Sequence, residues 1–345
     1  MTTSTGKVPL DSGDWRRVAH LLFDLGTTIR DQIQRNRGED PDHSASTIHK
    51  VTSADTIYQI DRVSEEALVG WFDSFWPSDY PAIVIGEGLD DEKGTVFPRN
   101  SPRPLIKILI DPIDGTRGLM YDKRSAWMLA GAAPIGDSEP TLADLKAGVM
   151  VEIPTSRQVS SDGAYAWEIG NDGFVVETVR FPRPGASPSP IKLTPSRATD
   201  LSHGFATFAS YFPEGRKQIQ AIEEAFLRRH LPEYPSATPL VFSDQYISSG
   251  GQIFELLAGR DRFVADLRPL VFEKHGPVNG LTCHPYDLAC LPVATASDCV
   301  IEDPWGNPIE APLDTTSQVA WVGYANKALA EELRPALVAA LQEVL

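Results

Sequence analysis

The chain has 345 residues, 42% of them hydrophobic and 23% charged, and a formal net charge of −16. That length exceeds one ordinary hydrophobic core, so two subdomains or one large α/β unit are expected. The acidic balance argues against nucleic-acid polymers, which bind Lys and Arg clusters that release counterions. No apolar run approaches the roughly 18 residues of a membrane span.

The opening residues, MTTSTGKVPLDSGDW, carry neither the basic flank nor the apolar core of a secretory signal, so a cytoplasmic location is the expectation. From Asp14 to Arg35 the residues Trp15, Val18, Leu22, Leu25, Ile29 and Ile33 recur at threes and fours, which predicts an amphipathic helix. A second helical period runs through Ile57, Ile60, Val63, Ala67, Leu68, Trp71, Phe72 and Phe75 and stops before Pro77 and Pro81, with Glu65 and Glu66 on its exposed side. AIVIGEG (82–88) reads as a strand whose end presents Glu87. Leu89 to Pro104 reads as a polar loop, in which Asp90, Asp91 and Glu92 form a solvated run. LIKILID then opens a series of β-like stretches continuing through AWMLAGAAP, AGVMVEIP, AYAWEIG and FVVETV, with Trp127 and Trp167 as core residues.

FPRPGASPSP (181–190) is the most linker-like segment, because Pro, Gly and Ser there remove donors and regular dihedrals. It sets the boundary between an N-terminal α+β subdomain (1–190) and a C-terminal α/β subdomain (191–345). Beyond it, helical stretches at 214–230, 250–258, 286–296 and from Asn326 alternate with the strand-like RFVAD and DCVIED. Cys283, Cys290 and Cys299 form no C-x-x-C pair and the histidines show no H-x-H spacing, so reduced, buried thiols are expected rather than zinc ligands.

ILIDPIDGTRGLM (108–120) asks for more than a strand and a turn, although Asp-Pro and Asp-Gly are both common turn formers. Asp111 and Asp114 at a strand end can share divalent cations, Pro112 stiffens the turn, and the Ile113 carbonyl can serve as a neutral oxygen ligand. Gly115 and Thr116 then open a helix whose free N–H groups suit a phosphate. Glu87, at the end of the preceding strand, is a third carboxylate, since strand ends gather where ligands bind. Downstream, CHPYDLACLPVA places Asp287 at the start of a predicted helix, where it is a good N-cap and also a candidate fourth carboxylate.

These segments, in this order, resemble the inositol monophosphatase family over nearly the whole length. DPIDGT matches that family's motif in full; IGEG has Gly88 where a second glutamate is usual, and PYDLA has Tyr286 where tryptophan is usual. KVTSADTIYQID is similar to the family's Lys…Asp-x-x-Thr-x-x-Asp segment at Lys50, Asp55 and Asp61, with Tyr58 in place of threonine. SSGGQIFELLAGRDRFVAD resembles its substrate-side turn and helix, with Ser249-Gly250 out of the usual order.

The resemblance implies a layered αβαβα sandwich of the sugar phosphatase type, within the α+β and α/β classes. It implies a Mg²⁺-dependent phosphomonoesterase that uses two or three Mg²⁺, or Mn²⁺ in their place, to activate a water. Glu87, Asp111 and the Ile113 carbonyl would hold one cation; Asp111, Asp114 and Asp287 would hold the second. Glu87 and Thr116 would orient the water, Asp114 would serve both catalysis and binding, and Gly115, Thr116, Ser249 and Gly250 would join Asp287 around the substrate. Lys50, Asp55 and Asp61 would stand behind the ligands, with an exposed ion pair and a helix cap as the ordinary alternatives. The substrate expected is a small polyol or sugar phosphate, and the family carries the expectation of a homodimer. Adenosine bisphosphate is the second substrate choice, on the strength of Lys123 and Arg124, which otherwise read as solvated loop charges. A non-catalytic metal-binding scaffold is the reading from a different class.

Overall fold

The computed structural model describes residues 10–39, 48–51, 56–89, 93–170, 172–231, 233–235, 237–275 and 281–345. α1 (Ser12–Glu39) sets Val18, Leu22, Leu25, Ile29 and Ile33 along one stripe, and all five are buried. Burying each such side chain contributes about 2 kcal/mol. A short hairpin of β1 (Ile48–Val51) and β2 (Thr56–Tyr58) leads into α2 (Gln59–Phe75).

The next strands are β3 (Ala82–Gly86), β4 (Thr95–Phe97) and β5 (Ile106–Asp114). After the short helix α3 (Thr116–Met120) come β6 (Ala126–Pro134), β7 (Ala147–Ile153), β8 (Ser161–Glu168), β9 (Phe174–Phe181) and β10 (Ser189–Pro190). They form one eight-stranded sheet in the order β10-β9-β8-β7-β6-β5-β3-β4, antiparallel except between β3 and β5. Side chains alternate across it: Ile106, Ile108 and Ile110 pack beneath α1 and α2, whereas Leu109 enters the core on the opposite face.

The rest of the chain supplies β11 (Gly204–Phe208), α4 (Arg216–His230), β12 (Val241–Phe242), α5 (Ser249–Leu257), β13 (Asp261–Asp266) and α6 (Arg268–His275). It ends with α7 (Leu291–Ala296), β14 (Val300–Glu302), β15 (Trp321–Tyr324) and α8 (Lys327–Val344). The five-stranded sheet has the order β12-β11-β13-β15-β14, with β11 parallel to both its neighbours. α5 and α7 lie between the two sheets, and α4 and α8 pack together on the far side of the smaller one. The architecture is therefore the layered αβαβα sandwich. Among the described residues no helix is long and apolar enough to cross a membrane. All three cysteines are free and buried.

Several expectations are corrected. The polar loop 89–104 contains β4, because Thr95, Val96 and Phe97 supply a short β-favouring run that pairs with β3; Asp90, Asp91 and Glu92 lie outside the described residues. The linker-like segment ends in β10, which pairs with β9 through Ser189 and Pro190, an edge position where a missing N–H is tolerated. The helical stretch 286–296 is broken into a 3₁₀ turn, Pro285–Leu288, and α7. β15 is masked in sequence by Gly323, whose missing side chain admits Leu256 and Ile301 to 2.7 and 3.0 Å of where a Cβ would stand.

The turn between α3 and β6 is fastened by Asp122, which holds a left-handed φ of +52°. Arg37 Nη2 donates to Asp122 Oδ1 at 2.6 Å, the Ser156 amide donates to the same oxygen at 2.7 Å, and the Ser156 hydroxyl donates to Oδ2 at 2.6 Å. Burial would raise the Asp122 pKa, but Ser156 and Arg37 together hold it down at about 2. A depressed carboxylate stabilises the fold above its unfolded pKa and loses that contribution as pH falls through its folded one. Asp122→Asn keeps a residue that tolerates the left-handed backbone, so it is expected to cost about 2 kcal/mol at pH 7. Urea unfolding at pH 7 and near pH 2 checks this: the gap between native and variant should close at the lower pH.

Candidate metal centre

The parallel pairing of β3 with β5 puts Gly86 opposite Ile110, and the Glu87 amide donates to the Ile110 carbonyl at 3.2 Å. Glu87 therefore leaves the sheet beside Asp111. Residues three apart on a regular strand face opposite sides, but the β5–β6 pairing shifts register between Asp111 and Asp114. That irregularity is what lets both aspartates turn inward. Across Pro112, the Ile113 amide donates to Asp111 Oδ1 at 2.9 Å, closing a tight Asx turn. Thr116 Oγ1 donates to the Ile113 carbonyl at 2.8 Å, so the motif threonine and the candidate carbonyl ligand are already in contact. Gly115 has φ +94°, and a Cβ there would stand 3.0 Å from that of Ser248 and 3.1 Å from the Ile247 carbonyl. Only glycine meets both demands easily.

Asp114 is tied to the start of α5. Its Oδ2 accepts from the Ser248 hydroxyl at 2.8 Å and from the Gly250 amide at 2.6 Å, and Ser248 also caps the helix by accepting from Gly251 N at 2.8 Å. A Cβ at Gly250 would lie 2.6 Å from Leu129 Cδ2 and 3.0 Å from Asp114 Oδ2, so the close approach of helix and carboxylate depends on that glycine. Asp287 arrives from the 3₁₀ turn. Its expected role as an N-cap falls to His284; Asp287 sits at the third position, where its Oδ2 accepts from the His284 amide at 2.6 Å, with Pro285 starting the turn.

Asp111, Asp114 and Asp287 each offer a carboxylate oxygen, and these oxygens lie within 4.8 Å of one another. Burial pushes the Asp111 carboxyl well up, and the charges of Glu87, Asp114 and Asp287 push it further. Burial raises Asp114 to about 6 against the pull of Gly250, Ser248, Ser249 and Arg268, and burial together with Asp114 raises Asp287. Such a group resists losing its protons until a cation joins it. The donors are all hard carboxylate oxygens, which fits Mg²⁺ or Mn²⁺.

Glu87 stands just outside the tight group, half-buried at the end of β3, though its charge reaches Asp111. Gly88, where the resembling family has a glutamate, holds φ +77°, and a Cβ there would collide with the Glu65 carboxylate of α2. Glu65 thus fills the space that a side chain at 88 would need. Ser249 turns its hydroxyl to Cys283 Sγ at 3.7 Å, and it is Ser248 that reaches Asp114. The sequence carries an N-cap signal in Ser248-Ser249 before the helical stretch, but nothing in it assigns the cap to Ser248 or ties that residue to Asp114. Asp55 lies outside the described residues, as do the side chains of Lys50 and Asp61. Arg124 pairs with Asp244 and lies 4.8 Å from the centroid of the Tyr246 ring, while Lys123 is exposed.

No family model matches the sequence, and no curated protein does. Solved structures are similar across nearly the whole chain. An inositol monophosphatase from Zymomonas mobilis is 17% identical, with a TM-score of 0.55 over 95% of this chain and 98% of that one. The Thermotoga maritima IMPase gives 16% and 0.54, covering 96% and 98%. The chain has the inositol monophosphatase fold. The fold is shared with the Leishmania major fructose-1,6-bisphosphatase, 14% identical, with a TM-score of 0.60 over 97% of this chain and all of that one. In the inositol monophosphatase fold of this chain, the three clustered carboxylates are drawn from the end of β5 and from the turn before α7.

Proposed function

We propose that this chain is a Mg²⁺-dependent phosphomonoesterase acting on a small polyol or sugar phosphate. The observation that carries the reading is the group of Asp111 and Asp114, from the end of β5, and Asp287, from the turn before α7, with carboxylate oxygens within 4.8 Å of one another. The phosphatases among the structures of the same fold support it. Asp111 and the Ile113 carbonyl, with Glu87, would hold one cation, and Asp111, Asp114 and Asp287 the other. Bound there, the cations supply positive charge to the phosphoryl oxygens and the leaving oxygen, which phosphoryl transfer needs more than covalent help.

The remaining work belongs to the chain. Glu87 accepts the proton of the attacking water, and the Thr116 hydroxyl, whose hydrogen points at the Ile113 carbonyl, offers its oxygen to the same water. Ser248 and the Gly250 amide hold Asp114 in place. The reading with adenosine bisphosphate rested on Lys123 and Arg124; Arg124 is engaged with Asp244 and Tyr246, so the polyol or sugar ester is carried forward. The buried Asp111 and Asp114 and the half-buried Asp287, held together, oppose folding unless a cation joins them, and turnover is what separates an enzyme from a metal-binding scaffold with the same site.

Phosphate release from inositol, hexose, histidinol and nucleotide monophosphates, with Mg²⁺ and with EDTA, tests the proposal. Cation-dependent turnover of a polyol or sugar ester is expected. Turnover confined to nucleotide phosphates would overturn the substrate class, and turnover unaffected by EDTA would overturn the cation.

A further inference from the structure

The connection from β13 to Asp287 is long, and its start is knotted around two deeply buried ions. Asp266 is 1% exposed and Arg268 5%. The Arg268 amide, Nε and Nη2 all donate to the Asp266 carboxylate, at 3.2, 2.8 and 2.5 Å. Nη1 instead reaches across the connection and donates to the Leu281 carbonyl at 3.0 Å. The Arg268 guanidinium carbon lies 4.8 Å from the centroid of the Tyr211 ring and 5.7 Å from that of Phe212, both in the segment after β11. β11 and β13 are parallel, so this knot forms at their carboxyl ends, on the side where ligands gather in such sheets.

Desolvating a buried ion pair offsets most of its attraction, so stability alone is a poor reason to keep one. Position is the better reason. From Leu281 the chain runs through Thr282 and Cys283, both buried, to His284, whose amide binds the Asp287 carboxylate. Val319 N donates to the Cys283 carbonyl at 2.9 Å and pins the far side of the same segment. Arg268 is thus the fastener at the near end of the strap that delivers Asp287. A lysine has one nitrogen and cannot bridge a carboxylate and a carbonyl with the same fixed fork.

We propose that Arg268 is a positioning residue for the cation shared by Asp111, Asp114 and Asp287, acting by clamping Leu281 to the end of β13. The inference rests on the metal reading of the site but not on the substrate. Calorimetric titration of Mn²⁺ into the native chain, Arg268→Met and Arg268→Lys, without substrate, tests it, alongside melting curves. Arg268→Met is expected to weaken one class of cation site by about tenfold, the scale of losing an outer partner of a ligand. Arg268→Lys should lie between the two, and should cover the case in which the methionine variant does not fold. Activity supplies a second readout: excess cation should restore kcat in the variants with KM for the ester unchanged. Folded variants that bind Mn²⁺ as the native chain does would overturn the inference. Native binding with no turnover of any ester would overturn the proposed activity and leave this inference standing, whereas a native chain that binds no Mn²⁺ would remove both.

Discussion

Asp114→Asn is expected to lower cation-dependent phosphate release by about a thousandfold, the scale of removing a main electrostatic stabiliser, while the chain still folds. The reason lies in the geometry on both sides of the carboxylate. Oδ2 accepts from the Ser248 hydroxyl and the Gly250 amide, and an asparagine oxygen can take both of those bonds. The new NH₂ group then faces the acidic side of the site, where Asp111 and Asp287 are acceptors. The helix α5 therefore keeps its anchor, and a unit of negative charge leaves the cluster. Without cation the variant should be at least as stable as the native chain; with cation it should gain less. Steady-state rates with saturating Mg²⁺ and melting curves with and without it measure the two halves. Native-like turnover by a folded Asp114→Asn chain would remove Asp114 from the mechanism.

The second large effect is a pH-dependent stabilisation by Mg²⁺. A carboxylate whose folded pKa is raised is destabilising when ionised: the penalty is absent below its unfolded pKa, grows through the window up to the folded pKa, and is complete above it. For Asp114 the window runs from about 4 to about 6 and is worth about 3 kcal/mol. Asp111 and Asp287 are raised as well, by burial first and by their neighbours' charges second, and add to the penalty in the same direction. In EDTA the native chain should therefore lose stability relative to Asp114→Asn as pH rises from 4 to 7. Saturating Mg²⁺ at pH 7.5 should raise the melting temperature by several degrees, and at pH 5 by clearly less. An equal Mg²⁺ shift in native and variant at both values would place the cation elsewhere.

The helices of the first quarter were legible because their burial follows a strict period over many turns. DPIDGT was legible as a carboxylate-bearing turn because its two aspartates, proline and glycine each answer a separate local demand. What escaped was set by partners distant in sequence. β4 is three residues long, β15 carries a glycine for Leu256, and α6 begins at an arginine whose carboxylate partner lies on the preceding strand. Asp287 lies beside the other two aspartates, but its capping partner is the reverse of the expected one, because the sequence cannot say whether a carboxylate opens a helix or closes back on the residue that does. The carboxylate cluster could be expected from the motif. The Ser248 hydroxyl on Asp114 could not, since it depends on where α5 begins.

The register between β3 and β5 has one more implication. Glu87 leaves the sheet beside Asp111 only because Gly86 sits opposite Ile110. A slip of a single residue would swap every side chain of β3 between the two cores and carry the glutamate out to the opposite face. The register is set by residues close together in sequence, whereas Asp287 reaches the same site from near the other end of the chain. Of the two cation sites proposed, the one drawn from Glu87, Asp111 and the Ile113 carbonyl would belong to the first third of the chain alone, and only the one that includes Asp287 would call on the whole polypeptide.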